Sequence, residues 1–239
     1  RAPRSAAMAA AVVEARASRP FEQGAVHRSC AGQVVLDLAG AVKELVENSL
    51  DAGASCVEVR LREHGEHSVE VTDNGCGVPR ESHQALTLKY HTSKLRSFAD
   101  LAAVSSYGFR GEALSSLCAL AEVVVNTRTQ EDALATRITY DKLGHIVSSE
   151  SNARPVGTTV TLRSLFSSLP VRLREFRRKI KREYARLLSV LQAYALVSGK
   201  VRCICSNQVG KGSRSTIVQT QGNQNLRHSI ATVLGTKTL

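Results

Sequence analysis

No run of about 18 consecutive apolar residues occurs in this 239-residue chain, so no segment is long and apolar enough to cross a bilayer as a helix. A phosphate-binding G-x-x-x-x-G-K-[ST] motif is also missing. "VGKGS" near the end has neither that spacing nor the strand–helix order around it, and it reads as a turn. The cysteines Cys30, Cys56, Cys76, Cys118, Cys203 and Cys205 include one close pair, C-I-C, with no histidine at zinc-ligand spacing. Scattered thiols in a reducing compartment are the expectation. No internal repeat is present. Acidic residues almost vanish from the last third: residues 151–239 hold 16 Lys+Arg against 2 Asp+Glu, whereas residues 1–150 hold 16 against 19. The net charge of +11 therefore sits almost wholly in that last third, which calls for a polyanionic partner.

The remaining composition fits a soluble globular chain, 43% hydrophobic and 22% charged, long enough for one large domain or two ordinary ones. The opening "RAPRSAAMAAAVVEARASRP" is rich in Ala and Arg without the apolar core of a secretory signal; residues 1–24 are expected to be a disordered leader. A first residue of Arg and an end at "VLGTKTL" read as a fragment. From about residue 33 a helical pattern runs through "AGAVKELVENSL" to a stop at Gly53. "SCVEVRL" and "SVEVTD" alternate like two strands of a hairpin. "RESHQALTLKY" reads as helical, and "YGFRGEALSSLCAL" opens on glycines and continues as a helix. "EVVVNTRT", "ATRITYD", "IVSSES" and "GTTVTLRSL" come next as strands, then one long basic helix over roughly 173–197, then "KVRCICSN" and "TIVQTQ". Hairpin joints argue against a doubly wound fold. The fold class expected is α/β (α+β), a sandwich with a mixed sheet, with a boundary between a first domain at 25–168 and a second at 169–239.

Four motifs carry chemistry. In "KELVENSLDAGA", Glu44 and Asn48 are four apart and share a helix face. A carboxylate able to take a proton from water, beside an amide oxygen able to bind a hard cation, suits metal-assisted phosphoanhydride hydrolysis. An ordinary amphipathic helix with polar positions explains the same pattern, with Lys43 and Glu47 solvated. "DNGCGV" ends a strand with Asp73, a natural acceptor for the amine of adenine, and Gly75 and Gly77 would let a flat ring approach the backbone. A plain D-N-G hairpin turn is the alternative. In "YGFRGEALSSL", Gly108 and Gly111 bracket a loop leading into a helix at Glu112, Ala113 and Leu114, whose amides would cradle phosphate. "HTSK" adds the hydroxyls of Thr92 and Ser93 and the ammonium of Lys94, and "GTTVTL" puts Thr158 at a strand start, where strand propensity alone would also explain it.

Together and in this order, "ENSLDAGA", "DNGCGV", "TSK" and "GFRGEALSSL" closely resemble the GHKL ATPase superfamily of gyrase, Hsp90, histidine kinases and MutL, and its MutL branch in particular. "SCAGQVV", "LTLKYHTSK" and "LFSSLPVR" look most like the eukaryotic post-meiotic-segregation type, over about residues 25–239. The resemblance implies a Bergerat-type sandwich that binds ATP and Mg²⁺. It would make Glu44 the general base, Asn48 the Mg²⁺ ligand, and Asp73 the acceptor for adenine with Thr158 nearby. Glu112, Ala113 and Leu114 would meet the phosphates, with Gly108, Phe109, Arg110 and Gly111 as a lid supported by Thr92, Ser93 and Lys94. Asp51, Gly75 and Gly77 complete the expected nucleotide contacts. It further implies an incomplete ribosomal-S5-like second domain, a γ-phosphate lysine beyond the chain end, no nuclease region, a second MutL homologue as heterodimer partner, DNA as ligand, no membrane and a nuclear location.

"VRLREFRRKIKREYAR", residues 171–186, carries eight Lys+Arg and two acids. Leu173, Phe176, Ile180, Tyr184 and Leu187 form the stripe to be buried. The outward charge, with Arg174, Arg177, Arg178, Lys181 and Arg182 as candidates, would bind DNA phosphates without reading sequence. A merely solvated basic helix is the alternative. Two functions stay open: the ATPase module of a MutL-type mismatch-repair protein, or a truncated, non-hydrolysing ATP- and DNA-binding module. Another GHKL ATPase is a remote third, which "GFRGEAL" argues against.

Overall fold

A computed structural model describes residues 23–89, 91, 106–108, 111–222 and 226–234. The first helix, α1 (Gln23–Val34), precedes α2 (Leu38–Asp51). Asp37 starts α2 as its N-cap, its carboxylate accepting the Gly40 N–H at 2.7 Å. The helix stops where Ala52 N–H returns to the Asn48 carbonyl and Gly53 turns left-handed at φ +72°. Strands β1 (Cys56–Arg62) and β2 (Ser68–Asp73) then form the expected antiparallel hairpin. Of the stretch 80–90, expected to be helical, the described residues 80–89 hold only two single 3-10 turns, Arg80–Ser82 and Ala85–Thr87. Helix α3 (Ala113–Leu120) leads into β3 (Glu122–Arg128), β4 (Ala135–Tyr140), β5 (Ile146–Asn152) and β6 (Gly157–Arg163). After α4 (Pro170–Arg178) and α5 (Ile180–Val197) come β7 (Arg202–Gln208), β8 (Ser215–Gln219) and α6 (Leu226–Leu234).

All eight strands join one sheet in the order β5-β4-β3-β6-β2-β1-β7-β8. Every neighbouring pair is antiparallel except β1 and β7, which run parallel with Val57 opposite Cys203, so the sheet is mixed as expected. Alternate residues point to one side: Val57, Val59, Leu61, Val69, Val71, Val123, Val125, Ile138 and Leu162 are buried in a single core with Leu38, Val42, Leu45, Leu117 and Leu187 from the helices. The strand faces behind them are polar, with Thr72 bonded to Thr159 at 3.2 Å and Arg60 paired with Glu58 and Glu70. The fold is a two-layer sandwich with helices on one side.

Two expectations change here. The boundary at 168/169 does not separate two units, because β7 extends the sheet from β1 and α5 packs its Leu187, Leu191 and Ala195 into the common core. No separate second domain is present among the described residues. The long basic helix is two helices, broken at Lys179 (φ −107°), whose N–H still reaches the carbonyls of Glu175 and Phe176. The predicted stripe holds across the break: Phe176 and Leu187 are buried, while Leu173, Ile180 and Tyr184 pack against the core.

Candidate functional site

Asp73 is the last residue of β2 and lies on the core side of the sheet, 7% exposed. Its Oδ1 accepts the N–H of Gly75 at 2.9 Å and of Thr158 at 3.0 Å, and its Oδ2 accepts the Ser49 hydroxyl at 3.0 Å. A buried carboxylate survives only with such donors. Burial is the largest influence on it and pushes its pKa above the usual carboxylate value; the bonds from Gly75, Ser49 and Thr158 and the charge of Arg154 pull the other way. Because the folded-state pKa is raised, the stability tied to this group is present below the ordinary carboxylate pKa. It is lost as pH rises through the raised value. The group is therefore kept ionisable at a cost to the fold.

Thr158, beside Asp73 in the neighbouring strand, is buried and bonds the Thr127 hydroxyl at 3.0 Å. Behind them Arg154 donates to the main-chain oxygens of Asp73 (3.2 Å) and Asn126 (3.3 Å). The D-N-G segment is not a hairpin turn, since β2 pairs with β1 on one side and β6 on the other, and with no strand just after the glycines. Instead Asn74 Oδ1 accepts the N–H groups of Ser55 and Cys56, and Cys76 N–H bonds the Ala52 carbonyl at 3.0 Å, which ties the turn to the end of α2. Chain packing requires both glycines. A Cβ on Gly75 would sit 2.7 Å from Ala52 Cβ, and one on Gly77 (φ +77°) 2.2 Å from the Arg128 carbonyl oxygen.

On α2, Glu44 and Asn48 are half-buried on one face, while Ser49 belongs to the buried stripe. Lys43 Nζ lies 3.6 Å from Glu44 and 2.8 Å from Glu47. Burial lowers the Lys43 pKa, but the bond to Glu47 and the charge of Glu44 outweigh it and the net direction is upward. Glu47, expected to be solvated, is buried at 6% and takes a hydrogen bond from the Tyr194 hydroxyl of α5. Removing that donor in Tyr194→Phe leaves a buried carboxylate with Lys43 as its partner. A loss of about 1–3 kcal/mol in urea-unfolding stability is expected.

Asp51, at the end of α2, accepts the N–H of Tyr107 at 2.9 Å and of Gly108 at 3.0 Å, so it holds the segment that leads into α3. Gly111 (φ +60°) packs so closely on His91 that a Cβ would meet its carbonyl oxygen at 2.3 Å. Ser116 N–H closes the first turn of α3 on the Glu112 carbonyl (2.9 Å), so the amides of Ala113 and Leu114 precede the helical ladder. Thr92, Ser93, Lys94, Phe109 and Arg110 lie outside the described residues.

Thus α2, the end of β2, the start of β6 and the approach to α3 converge through Ser49–Asp73, Asp73–Thr158, Cys76–Ala52 and Asp51–Gly108. Ser49, Glu47, Tyr194 and Arg154 are additions to the expected set. Ser49 had a sequence signal: it stands four after Leu45 and seven after Val42, inside the apolar stripe, where a hydroxyl needs a partner.

On the basic helices, Arg174, Arg177, Arg178, Lys181 and Arg182 are all exposed. Arg177 is paired with Glu66 at 3.0 Å, and Arg178 stands 4.0 Å from Glu175. Arg172 instead reaches inward to the carbonyls of Gly32 (2.6 Å) and Val35 (3.3 Å), and Arg186 pairs with Asp37 at 2.6 Å. No helix among the described residues is long and apolar enough to cross a membrane.

Comparison with known proteins agrees with this fold. The profile of the family described as histidine kinase-, DNA gyrase B- and HSP90-like ATPase matches residues 36–164. The DNA mismatch repair protein PMS1 of Arabidopsis thaliana is 52% identical over 220 residues, 92% of this chain and 24% of that protein. The mismatch repair endonuclease PMS2 of Homo sapiens is 49% identical over 225 residues, 94% of this chain and 26% of that protein. The chain thus spans about a quarter of the length of these relatives. Among solved structures, the Aquifex aeolicus MutL ATPase domain complexed with ADP superposes with a TM-score of 0.62 at 27% identity, covering 82% of this chain and 68% of that one. The N-terminal domain of a DNA repair protein superposes at 0.79 with 40% identity, covering 88% and 60%.

Proposed function

Because the chain belongs to the histidine kinase-, DNA gyrase B- and HSP90-like ATPases, we propose that it binds and hydrolyses ATP as the nucleotide module of a MutL-type mismatch-repair protein. The observation that carries this reading is Asp73. A carboxylate is buried at a strand end, fixed by Ser49, Gly75 and Thr158, and set beside the helix bearing Glu44 and Asn48. The exocyclic amine of adenine is the donor that such a fixed acceptor suits.

The chemistry follows from the residues. Glu44, its side chain one-third exposed, is placed to accept a proton from the water that attacks the γ-phosphate, with Lys43 steadying its carboxylate. Among the described residues no three His, Cys, Asp or Glu gather as a metal site. Mg²⁺ binds through one or two protein oxygens plus phosphates, and the Asn48 side-chain oxygen would be the protein's contribution. The ion would neutralise phosphate charge. The amides of Glu112, Ala113 and Leu114 would meet the phosphates, and the Gly108–Gly111 loop, anchored by Asp51, would close as a lid when ATP binds.

The likeness to mismatch-repair relatives extends the proposal to pairing with a second MutL homologue, to action in the nucleus, and to sequence-nonspecific DNA binding by Arg174, Arg177, Arg178, Lys181 and Arg182. Phosphate release by the purified chain tests the enzymatic core: turnover should require both ATP and Mg²⁺. ATP binding without any Mg²⁺-dependent turnover would leave a non-hydrolysing binding module instead.

A further inference from the structure

The β7–β8 turn, "VGKGSR" at residues 209–214, has no part in the nucleotide site. It is nevertheless a well-built element. Gln208 Nε2 donates to the Gly212 carbonyl at 3.1 Å and Gly212 N–H to the Val209 carbonyl at 3.2 Å, while every residue from Val209 to Ile217 is exposed. It carries Lys211 and Arg214, neither of which has an ion-pair partner among the described residues.

What gives the turn meaning is its attachment. The β1–β2 connection at 63–67 acts as a bracket for three separate elements. Glu63 Oε1 accepts the Gly210 N–H at 2.6 Å, and Asn207 Oδ1 accepts the His64 N–H at 3.1 Å, so the bracket holds the hairpin. The His64 ring meets Tyr184 of α5 edge-on with centroids 4.8 Å apart, and Glu66 pairs with Arg177 of α4 at 3.0 Å. Glu63 and His64 both adopt left-handed backbone, φ 50° and 59°, an unfavourable state for two consecutive non-glycine residues. Those contacts hold the strain in place. Lys181 is one turn before Tyr184 on α5, so the bracket brings the hairpin and the basic stretch of α4–α5 to the same end of the sandwich.

We propose that the hairpin is a second phosphate-binding arm for duplex DNA, held at a fixed offset from the α4–α5 face by the 63–67 bracket. The inference rests on the DNA-binding reading above and extends it from one helix face to a two-point grip. Lys211 and Arg214 supply one point, and Arg174, Lys181 and Arg182 the other. All five lack an ion-pair partner among the described residues, whereas Arg172, Lys179 and Arg186 are already engaged within the fold. Isolated charges on a rigid pair of supports suit a duplex backbone and read no bases.

The test is fluorescence anisotropy with a labelled DNA duplex across a salt series, on three proteins: wild type, Lys211→Ala/Arg214→Ala and Lys181→Ala/Arg182→Ala. ATP-analogue binding confirms that each variant is folded. Two lost phosphate contacts lower the slope of log affinity against log salt by about 1.8 and weaken binding by about tenfold or more near 0.1 M salt. The hairpin variant should show both effects equally on two unrelated sequences. If the helix variant is weakened and the hairpin variant is not, the second arm is wrong and the helix reading stands. Weaker binding by the hairpin variant at an unchanged slope would also overturn it, because phosphate contact requires the slope to fall. If neither variant is weakened, both readings fall.

Discussion

Glu44→Ala should reduce Mg²⁺-dependent ATP turnover by about 10²–10⁴-fold, the usual contribution of a positioned general base. Nucleotide affinity should change little, because the proposed mechanism has Glu44 act on the attacking water and leaves adenine recognition to Asp73. The fold should tolerate the change: Glu44 has a side chain one-third exposed, with Lys43 at 3.6 Å, and Lys43 keeps Glu47 at 2.8 Å. Surface changes of this kind stay within about 0.5 kcal/mol. Single-turnover phosphate release separates the chemical step from binding. Turnover within a few-fold of wild type would remove Glu44 from the mechanism.

Asp73→Asn should weaken ATP binding by about 10- to 100-fold, corresponding to the roughly 1.5–3 kcal/mol of a hydrogen bond to a charged group. The geometry makes this substitution selective. The amide side chain keeps one oxygen, which can go on accepting the N–H groups of Gly75 and Thr158 that now bond Oδ1. Its NH₂ replaces Oδ2 and faces the Ser49 hydroxyl. That hydroxyl can accept this bond while donating to the Leu45 carbonyl, already 3.1 Å away. The fold is therefore served by either side chain, whereas an adenine amine directed at this position, as proposed, would meet a donor where it needs an acceptor. Thermal unfolding should move by only a few degrees while binding is lost. The raised pKa of Asp73 adds a pH signature: wild-type affinity should fall on acidification at a pH above the ordinary carboxylate range, as the buried acceptor takes up a proton.

How much of the molecule is legible in its sequence depends on distance along the chain. The shared helix of Glu44 and Asn48 is readable because helical spacing is a local rule, and the strand-end place of Asp73 because a strand visibly ends there. The antiparallel neighbours β1–β2, β3–β4 and β4–β5 follow from hairpin-length joints. Pairing over long separations cannot be read locally. The parallel union of β1 with β7 brings Val57 to Cys203 and dissolves the expected boundary at 168/169. Glu47 looks solvated in the sequence because its partner, Tyr194, is 147 residues away on a helix whose register against α2 no periodicity reveals. The turn at 209–214 looks inert for the same reason: its anchor, Glu63, belongs to a different hairpin. The glycines of "DNGCG" are legible as a constraint but not as to its cause, which is contact with Ala52 and Arg128.

Calorimetric titration of the wild-type chain with a non-hydrolysable ATP analogue and Mg²⁺ tests the central claim most directly. Saturable one-to-one binding is expected, with a Kd between about 1 μM and 1 mM, the range in which enzyme substrates ordinarily fall, and it should weaken in Asp73→Asn. Folded protein that takes up no nucleotide at millimolar concentration would contradict the assignment of the Asp73 pocket to ATP.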